Sequence, residues 1–278
     1  MYKFKSKKWE WIILEGNMFM TNTYPEIEEA ILYIQRNICE PLSLSQLANH
    51  VSYSPYHFTR IFKARTGLTP LYYVSSMRLQ KAKDLLLNTN LTVRDIGIEI
   101  GQQSLGTFTT RFTEKVGITP SQFRNSHMQV DHHLHSLQKL SNWREGPPPS
   151  LQYAKIEGTI QTAHPFNGFI LIGLFSKPIP EEFPLFGTLL SSTGDFSFTN
   201  VQPGTYYLMA TSVSWEMQSM DILLPHTTLR MRSKKPIVVK PASIVPHQEV
   251  TLYPPKLDDP PILVSLPSLM KSFLNRVR

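Results

Sequence analysis

The sequence predicts a two-part protein: an all-α domain with two helix–turn–helix units, followed by an antiparallel β-sandwich. Apolar residues recur at helical spacing up to about residue 127, whereas short runs of alternating polarity predominate after residue 150. A seven-residue pattern repeats within the helical part, and 17 of the 22 prolines lie at or after position 147. A chain of 278 residues is long enough for about two domains, so these differences indicate a domain boundary.

The repeat has an offset of 50 residues and is the most informative feature of the helical part. The two copies are Ser54, Phe58, Thr59, Phe62, Gly67, Thr69 and Pro70, and then Ser104, Phe108, Thr109, Phe112, Gly117, Thr119 and Pro120. Self-similarity at a fixed offset indicates two similar structural units in tandem.

The first unit is predicted to be a helix, a short turn and a second helix. Ser43 and Gln46 have the spacing of a capping box, which predicts the start of the first helix. Ser54 is the predicted N-cap of the second helix, because Pro55 suits the first helical position. Gly67 fits a left-handed C-cap, so the second helix should end there.

The second unit repeats this plan after a long connecting helix. That helix is predicted at 70–87 and should fix the separation of the two units. Thr92 and Asp95 predict the start of the next helix. Ser104 then predicts the start of the second helix of this unit, and Gly117 predicts its end.

These elements divide the chain into five segments. They are an N-terminal tail at 1–21, the double helix–turn–helix domain at 22–127, a linker at 128–150, the β-sandwich at 151–255, and a C-terminal tail with a short helix at 256–278. The excess of basic over acidic residues is +2 at 1–21, +3 at 22–127, 0 at 128–150 and +2 at 151–278, so the net charge of +7 does not single out a DNA-binding region. The short C-terminal helix is expected to pack on the sandwich or to contact a partner.

Composition and motif content argue against other classes of protein. Cys39 is the single cysteine, which excludes internal disulfide bonds and cysteine-based zinc fingers. No window holds the ~18 apolar residues of a membrane helix, and no phosphate-binding loop, serine nucleophile elbow or metalloprotease motif occurs. A histidine cluster near the linker is expected to be solvated: His127, His132, His133 and His135. We therefore expect a cytoplasmic protein, not an enzyme, with no catalytic residues, metal site, cofactor or membrane partner.

The second helix of each unit carries polar side chains opposite its buried stripe. In helix–turn–helix units this helix enters the major groove, where such side chains contact bases and phosphates. The candidate DNA-binding residues are Tyr56, His57, Thr59, Arg60 and Lys63 in the first unit, and Leu105, Gly106, Thr107, Thr109, Thr110 and Arg111 in the second. Arg60 is the candidate for bidentate contact with guanine, and Lys115 is a further candidate. The alternative is that both faces are ordinary solvated surfaces.

Many residues of the helical part occur at fixed spacings that identify a known family. They are Ala48, Ser54, Phe58, Arg60, Phe62, Lys63, Gly67, Thr69 and Pro70, then Arg78, Leu79, Ala82, Leu85 and Leu86, then Ile96, Gly101, Phe108, Phe112, Gly117, Ile118, Thr119, Pro120, Phe123 and Arg124. In this pattern residues 24–127 resemble the DNA-binding domain of AraC/XylS-type transcriptional regulators. The resemblance implies an activator that binds double-stranded DNA, with recognition helices in successive major grooves, and that contacts RNA polymerase. Half-sites should then lie about 10–10.5 bp apart.

The second unit departs from the family pattern. Gln102 stands where an aromatic residue is common, Gly97 where alanine is usual, and Thr110 where a Phe-Ser-Arg motif has its arginine. Arg111 lies one position further on, rotated by about 100° at 3.6 residues per turn. We therefore expect the first unit to contribute more DNA affinity.

The second half contains short runs of strand-like sequence between prolines and glycines. These runs lie at 151–160, 168–175, 194–199, 204–213, 237–239 and 249–253, and predict six or seven strands. The clearest segment is Gly194, Asp195, Phe196, Ser197 and Phe198, followed by Pro203, Gly204, Thr205 and Tyr206. With it, residues 155–253 resemble the transthyretin-like or carboxypeptidase-regulatory-like β-sandwich, which implies a compact non-catalytic module.

The predicted sandwich has several candidate roles, because a fold of this kind does not determine a function. It could bind a small-molecule or saccharide effector, for which Tyr206, Tyr207 and Trp215 would supply a stacking platform. It could instead form a homodimer or another partner contact, or simply stabilise the chain. The contrasting hypothesis for the whole protein is a ligand- or partner-binding β-sandwich with a degenerate DNA module, which Thr110 supports.

Overall fold

The computed structural model describes residues 11–14, 17–20, 24–102, 104–140, 153–241 and 244–277. Its helical part comprises α1 (Pro25–Arg36), α2 (Leu44–His50), α3 (Pro55–Thr66), α4 (Pro70–Asn88), α5 (Val93–Glu99), α6 (Leu105–Val116), α7 (Pro120–Arg124) and α8 (His127–Gln138). The first helix–turn–helix unit is α2–α3, the second is α5–α6, and α4 joins them. The expected N-terminal tail contains a short antiparallel pair, β1 (Trp11–Leu14) with β2 (Asn17–Met20).

The second half contains two β-sheets and further helices. Its elements are β3 (Ala154–Thr162), β4 (Gly168–Phe175), β5 (Phe186–Leu190), β6 (Gly194–Val201), β7 (Gly204–Ser214), α9 (Ser219–Leu223), β8 (Arg230–Arg232), β9 (Ile237–Val239), β10 (Gln248–Leu252) and α10 (Leu266–Val277). The smaller sheet has the strand order β10-β3-β6. The larger has the order β5-β4-β7-β8, with β9 also paired to β7.

The helices of both units begin at the predicted caps. Ser43 Oγ accepts a hydrogen bond from the Gln46 amide at 3.2 Å, and the Gln46 side chain accepts one from the Ser43 amide at 2.8 Å. These two bonds complete the predicted capping box. The hydroxyls of Ser54, Thr92 and Ser104 cap α3, α5 and α6 by accepting from a backbone amide three residues later.

The second helices of the two units also end alike. Gly67 follows α3 with φ of 80° and Gly117 follows α6 with φ of 90°, in the left-handed region that favours glycine. Phe62 and Phe112, which are 50 positions apart, are both fully buried. Each contacts an aromatic ring of the helix that follows, at centroid distances of 5.4 and 5.8 Å. The sequence repeat is therefore also a repeat of caps and core.

Part of the expected linker at 128–150 is helical. In α8, Val130, His133 and Leu137 are buried, and the helix packs against α9 and α10. The expectation of a linker is therefore wrong for 128–138. A spacing of three and four residues places these side chains on one face of a helix, which the polar composition of the segment conceals. The proline run at 147–149 lies outside the described residues.

The two sheets share one buried apolar cluster. Ile156 and Ile160 of β3 contribute to it from the smaller sheet, and Ile172 of β4 contributes from the larger. Phe169 and Leu171 of β4 belong instead to a second cluster, which extends beneath the helices. Because both of its faces are covered, β4 is buried along its whole length, which accounts for its uninterrupted apolar sequence.

The predicted antiparallel sandwich is wrong in the direction of one strand. β10 pairs with β3 in parallel, with Val250 opposite Ile160, whereas the other paired strands are antiparallel. Alternating polarity predicts that a segment is a strand but does not specify the direction of its neighbour. Within the described residues neither sheet closes into a barrel. The coarser prediction, a helical domain followed by a β-rich half, is confirmed.

The helical part and the β-rich half are joined by the second buried cluster. The expected C-terminal tail contributes to it through Leu263, Met270 and Phe273, and α10 contacts α8, α9 and β5. The C-terminal helix therefore packs inside the chain, between the helices and the larger sheet. No helix among the described residues is long and apolar enough to cross a bilayer.

Candidate nucleic-acid interface

The outer face of α3 carries the polar residues that the sequence predicted. Tyr56 is 82% exposed, Arg60 and Lys63 are exposed, and His57 and Thr59 are half-buried. Nη2 of Arg60 lies 3.4 Å from Nδ1 of His57, and the Thr59 hydroxyl donates to a backbone carbonyl one turn earlier. This face presents two long cationic side chains and two rings with hydrogen-bonding atoms. Such groups suit contacts with phosphates and base edges.

The corresponding face of α6 is mostly uncharged. Its exposed residues are Leu105, Gly106, Thr107 and Thr110, and Thr109 is half-buried. Arg111 is half-buried, and its Nη1 atom lies 3.5 Å from Oε1 of Gln102. The predicted site residues of α6 therefore share a surface, but this surface offers hydroxyl and alkyl groups rather than a free arginine fork.

The C-terminal end of α3 is bound to the β-rich half. Nε of Arg65 lies 3.0 Å from Oδ2 of Asp258, whose side chain is only 7% exposed. A Cβ atom placed on Gly67 would come within 2.7 Å of Nη1 of Arg232, so β8 touches the end of this helix directly. These contacts leave the N-terminal part of α3 as its free end.

The C-terminal end of α6 is bound in the same way. Nζ of Lys115 lies 2.7 Å from Oε1 of Glu181 and 2.8 Å from Oε1 of Glu182. Burial alone would lower the pKa of Lys115, but its hydrogen bonds to these carboxylates outweigh that effect and raise the pKa. The carbonyl of Val116 accepts a bond from the Ser265 amide at 2.9 Å. Lys115, a further DNA-contact candidate from sequence, is therefore engaged away from the exposed face.

The connecting helix α4 is attached to both parts of the protein. Lys83 is fully buried, and its Nζ donates to the carbonyl of Ile262 at 2.9 Å. Burial lowers the pKa of Lys83 to about 7, against the opposing effect of Asp84. Nε of Arg78 donates at 3.1 Å to the carbonyl of Ile38, just beyond α1. Arg78 and Lys83 of α4 thus bind backbone carbonyls rather than solvent.

Other candidate sites suggested by the sequence are not assembled. Tyr206 belongs to the cluster between the sheets, whereas Tyr207 and Trp215 pack against the cluster beneath the helices. The proposed stacking platform is therefore wrong, because neighbouring strand residues point to opposite faces. Across the described ranges, no three His, Cys, Asp or Glu side chains are grouped to hold a metal ion.

Sequence comparison assigns the helical part to a family. Residues 47–126 match the family model described as a helix-turn-helix domain. The HTH-type transcriptional activator AarP of Providencia stuartii is 34% identical over 100 residues, which cover 36% of this chain and 74% of AarP. The bifunctional transcriptional activator/DNA repair enzyme AdaA of Bacillus subtilis is 40% identical over 92 residues, which cover 33% of this chain and 44% of AdaA.

Among solved structures, this chain is similar to a transcriptional regulator with an AraC-type DNA-binding domain from Chromobacterium violaceum. The identity is 32%, the TM-score is 0.36, and the match covers 37% of this chain and 91% of that one. The chain spans between 31% and 44% of the length of four curated relatives from Bacillus subtilis and Pseudomonas aeruginosa.

Together the repeated units and these relatives identify the class of protein. The chain belongs to the AraC-type family of helix–turn–helix transcriptional regulators. The prediction of a DNA-binding transcriptional regulator is thereby confirmed. The AdaA match covers 33% of this chain, so the repair activity in the name of AdaA is a statement about AdaA alone.

Proposed function

We propose that the protein activates transcription by placing α3 and α6 in successive major grooves on one side of a DNA duplex. The observation that carries this proposal is the contrast between the two ends of each recognition helix. Near the N-terminal ends, Tyr56 and Leu105 are 82% and 47% exposed. Near the C-terminal ends, Arg65 and Lys115 are bound to acidic side chains of the β-rich half. The free N-terminal parts are those that helix–turn–helix proteins direct at base edges.

The length of α4 supports the proposed spacing of the two grooves. α4 has 19 residues and is therefore about 28 Å long at 1.5 Å per residue. Successive major grooves on one side of B-DNA are about 34 Å apart. A rigid helix of this length, with a unit at each end, suits half-sites about 10–10.5 bp apart.

The β-rich half is proposed to hold the two units in a fixed arrangement. Asp258 binds the first unit through Arg65, and Glu181 binds the second through Lys115. Lys83 attaches α4 to the segment that precedes α10. Because all three attachments lead to one body, the recognition helices should not change their spacing independently, and operator spacing should be strict.

The first unit is proposed to supply most of the affinity. Arg60 and Lys63 are exposed on α3 and can bind guanine or phosphate. On α6, Thr110 offers only a hydroxyl and a methyl group, and Arg111 is directed to Gln102. The second unit should therefore contribute mainly to the positioning of the protein on DNA and to the recognition of DNA shape.

The location of the protein, its partners and the role of the β-rich half complete the proposal. We propose a bacterial cytoplasmic location, since the ligand is genomic DNA, and RNA polymerase as the partner in activation. The β-rich half is proposed to be a transthyretin-like sandwich, which the buried cluster shared by its two sheets supports. Homodimer formation through this half is proposed as the means of binding longer operators.

The proposal is tested by selecting random duplex DNA with the full-length protein and measuring the salt dependence of affinity for the enriched sequence. One motif with two parts about 10–10.5 bp apart is expected. The double variant Arg60→Ala/Lys63→Ala should lose enrichment in one part and show a shallower salt slope.

The opposite result would be non-specific binding that depends steeply on salt, with no enriched motif. It would favour the contrasting hypothesis, a ligand- or partner-binding protein with a degenerate DNA module. Thr110 is the residue that supports that alternative, since a charged side chain is missing there.

A further inference from the structure

A cavity of about 140 Å³ lies between the larger sheet and the C-terminal segment that includes α10. Leu171 and Met209 line it from the sheet, and Ile262 and Leu266 line it from the C-terminal segment. An apolar cavity of about 150 Å³ in another protein accommodates one benzene molecule. This cavity therefore has room for an apolar group of about six carbon atoms.

Arg232 lines this cavity, and two of its hydrogen-bond donors have no partner in the part of the chain that the structure describes. The residue is only 9% exposed. Its Nη1 donates to the carbonyl of Pro178 at 3.3 Å, but Nε and Nη2 are buried and bind no acceptor within the described residues. These two N–H groups lie on the same edge of the guanidinium and form the fork that matches both oxygens of a carboxylate. A buried cation with unpaired donors is unfavourable unless an acceptor completes it.

The charged residues of the lining favour an anion. They are Arg230, Arg232, Arg276 and Asp259. Nη2 of Arg230 and Nη2 of Arg276 each donate to a backbone carbonyl at 2.6 Å, so both heads are engaged. The two oxygens of Asp259 accept bonds from the Tyr253 hydroxyl at 3.2 Å and from the Lys256 amide at 2.9 Å. Three arginines and one aspartate thus line the cavity, and among these arginines Arg232 is the one with donors that lack an acceptor within the described ranges.

We propose that this cavity binds a small monocarboxylic acid. The carboxylate would accept hydrogen bonds from Nε and Nη2 of Arg232, and an apolar body of about six carbon atoms would contact Leu171 and Met209. A charge-assisted pair of bonds in a poorly hydrated site is stronger than the same pair in water. The mostly apolar lining disfavours a saccharide, whose hydroxyls would lack partners there.

The bound acid would lie one side chain away from the first DNA-binding unit. A Cβ on Gly67 would lie 2.7 Å from Nη1 of Arg232, so the guanidinium supports the end of α3. Fixing this arginine should therefore also fix the orientation of α3. An effect of the acid on DNA affinity is expected on this ground, and that consequence rests on the proposed function, whereas binding of the acid does not.

The test is isothermal titration calorimetry of the full-length protein with hexanoate, 1-hexanol and hexylammonium. Each probe has six carbon atoms in an unbranched chain, and the three differ in the charge of the head. Hexanoate should bind with a Kd below about 1 mM, at least about tenfold more tightly than either other probe. Equal affinities for hexanoate and hexanol, or no heat of binding with hexanoate up to about 10 mM, would overturn the proposal.

Three variants locate the binding. Arg232→Met removes the fork and should weaken hexanoate binding at least about tenfold. Lys235→Met removes the same charge from an exposed position outside the cavity and should leave the Kd within about twofold. Ser272→Phe fills the cavity from α10 and leaves Arg232 intact, so it decides the matter if Arg232→Met does not fold.

Ser272→Phe should abolish hexanoate binding. Unchanged hexanoate affinity in Ser272→Phe would show that the acid binds elsewhere and would overturn the proposal. Because these measurements contain no DNA, their failure would leave the proposed regulation of transcription intact.

Discussion

The two helix–turn–helix units of this protein are alike at the helix ends that contact the β-rich half and different on their exposed faces. Arg65 and Lys115 occupy equivalent positions, 50 residues apart, and each binds an acidic side chain of the β-rich half. The glycines that follow them adopt the same left-handed conformation, with φ of 80° and 90°. On the exposed faces, however, Arg60 corresponds to Thr110, and Lys63 corresponds to Thr113.

The sequence repeat therefore corresponds to a shared scaffold and its attachment to the β-rich half, not to a duplicated DNA-binding surface. Caps, aromatic cores and basic attachment points recur in both units, because each unit must fold and pack against the same body. The groups available for DNA are concentrated on α3. Two structurally equivalent helices are therefore expected to make unequal contributions to affinity.

Removing an equivalent buried ring from each unit should change stability the most, and it tests whether the two scaffolds are equivalent. Phe62→Ala and Phe112→Ala each remove a fully buried ring at equivalent positions. Each should lower the free energy of unfolding by about 3–5 kcal/mol, because a cavity is left in addition to the lost burial. Urea unfolding followed by circular dichroism measures both. A loss below about 1 kcal/mol for either variant would contradict the equivalence.

The next largest loss of stability is expected at the C-terminal ends of α3 and α6, where they contact the β-rich half. Lys115→Met should lower the free energy of unfolding by about 3 kcal/mol, because it leaves the buried Glu181 with the more exposed Lys177 as its ion-pair partner. Arg65→Met should have a smaller effect, since Lys234 also lies 3.6 Å from Asp258.

The double variant Lys115→Met/Glu181→Gln separates the ion pair from general packing. It should recover part of the loss, because the buried negative charge is removed with its partner. Equal losses in the single and the double variant would indicate that the pair does not determine the stability of this attachment. Lys177→Met is the control for removing a lysine at a more exposed position.

A smaller effect is expected from the pH dependence of α4. Burial lowers the pKa of Lys83 from 10.5 to about 7, so above pH 7 the folded state binds fewer protons than the unfolded state. The free energy of unfolding should therefore rise between pH 7 and pH 9, by about 2 kcal/mol from this group. Lys83→Met should remove this part of the rise. The same slope in urea titrations of both proteins would contradict the assignment.

The helical part was largely predictable because its signals are local. Caps at Ser43, Ser54 and Ser104 depend on side chains within three residues, and the glycine stops depend on one residue each. The exposed face of α3 follows from helical periodicity once these ends are known. By contrast, the sequence does not reveal the buried stripe of α8, because histidine is a polar residue and His133 is nevertheless buried.

What was not predictable depends on contacts between distant segments. The parallel pairing of β10 with β3 follows from the path of the chain between sheets, which polarity patterns do not encode. The attachment of Lys115 to Glu181 joins residues 66 positions apart. The adjacent acidic pair Glu181 and Glu182 was a visible signal for a basic partner, but its partner was not identifiable from sequence.

The most direct test of the unequal units is the DNA affinity of the full-length protein with Arg60→Ala or Thr110→Ala, measured on the selected operator at one salt concentration. These substitutions lie at equivalent positions of α3 and α6. Arg60→Ala should lose about 1–3 kcal/mol of binding free energy and relax specificity in one half-site, whereas Thr110→Ala should stay within about threefold of the parent affinity. Equal losses in the two variants, or a larger loss with Thr110→Ala, would contradict the conclusion that the first unit supplies most of the affinity.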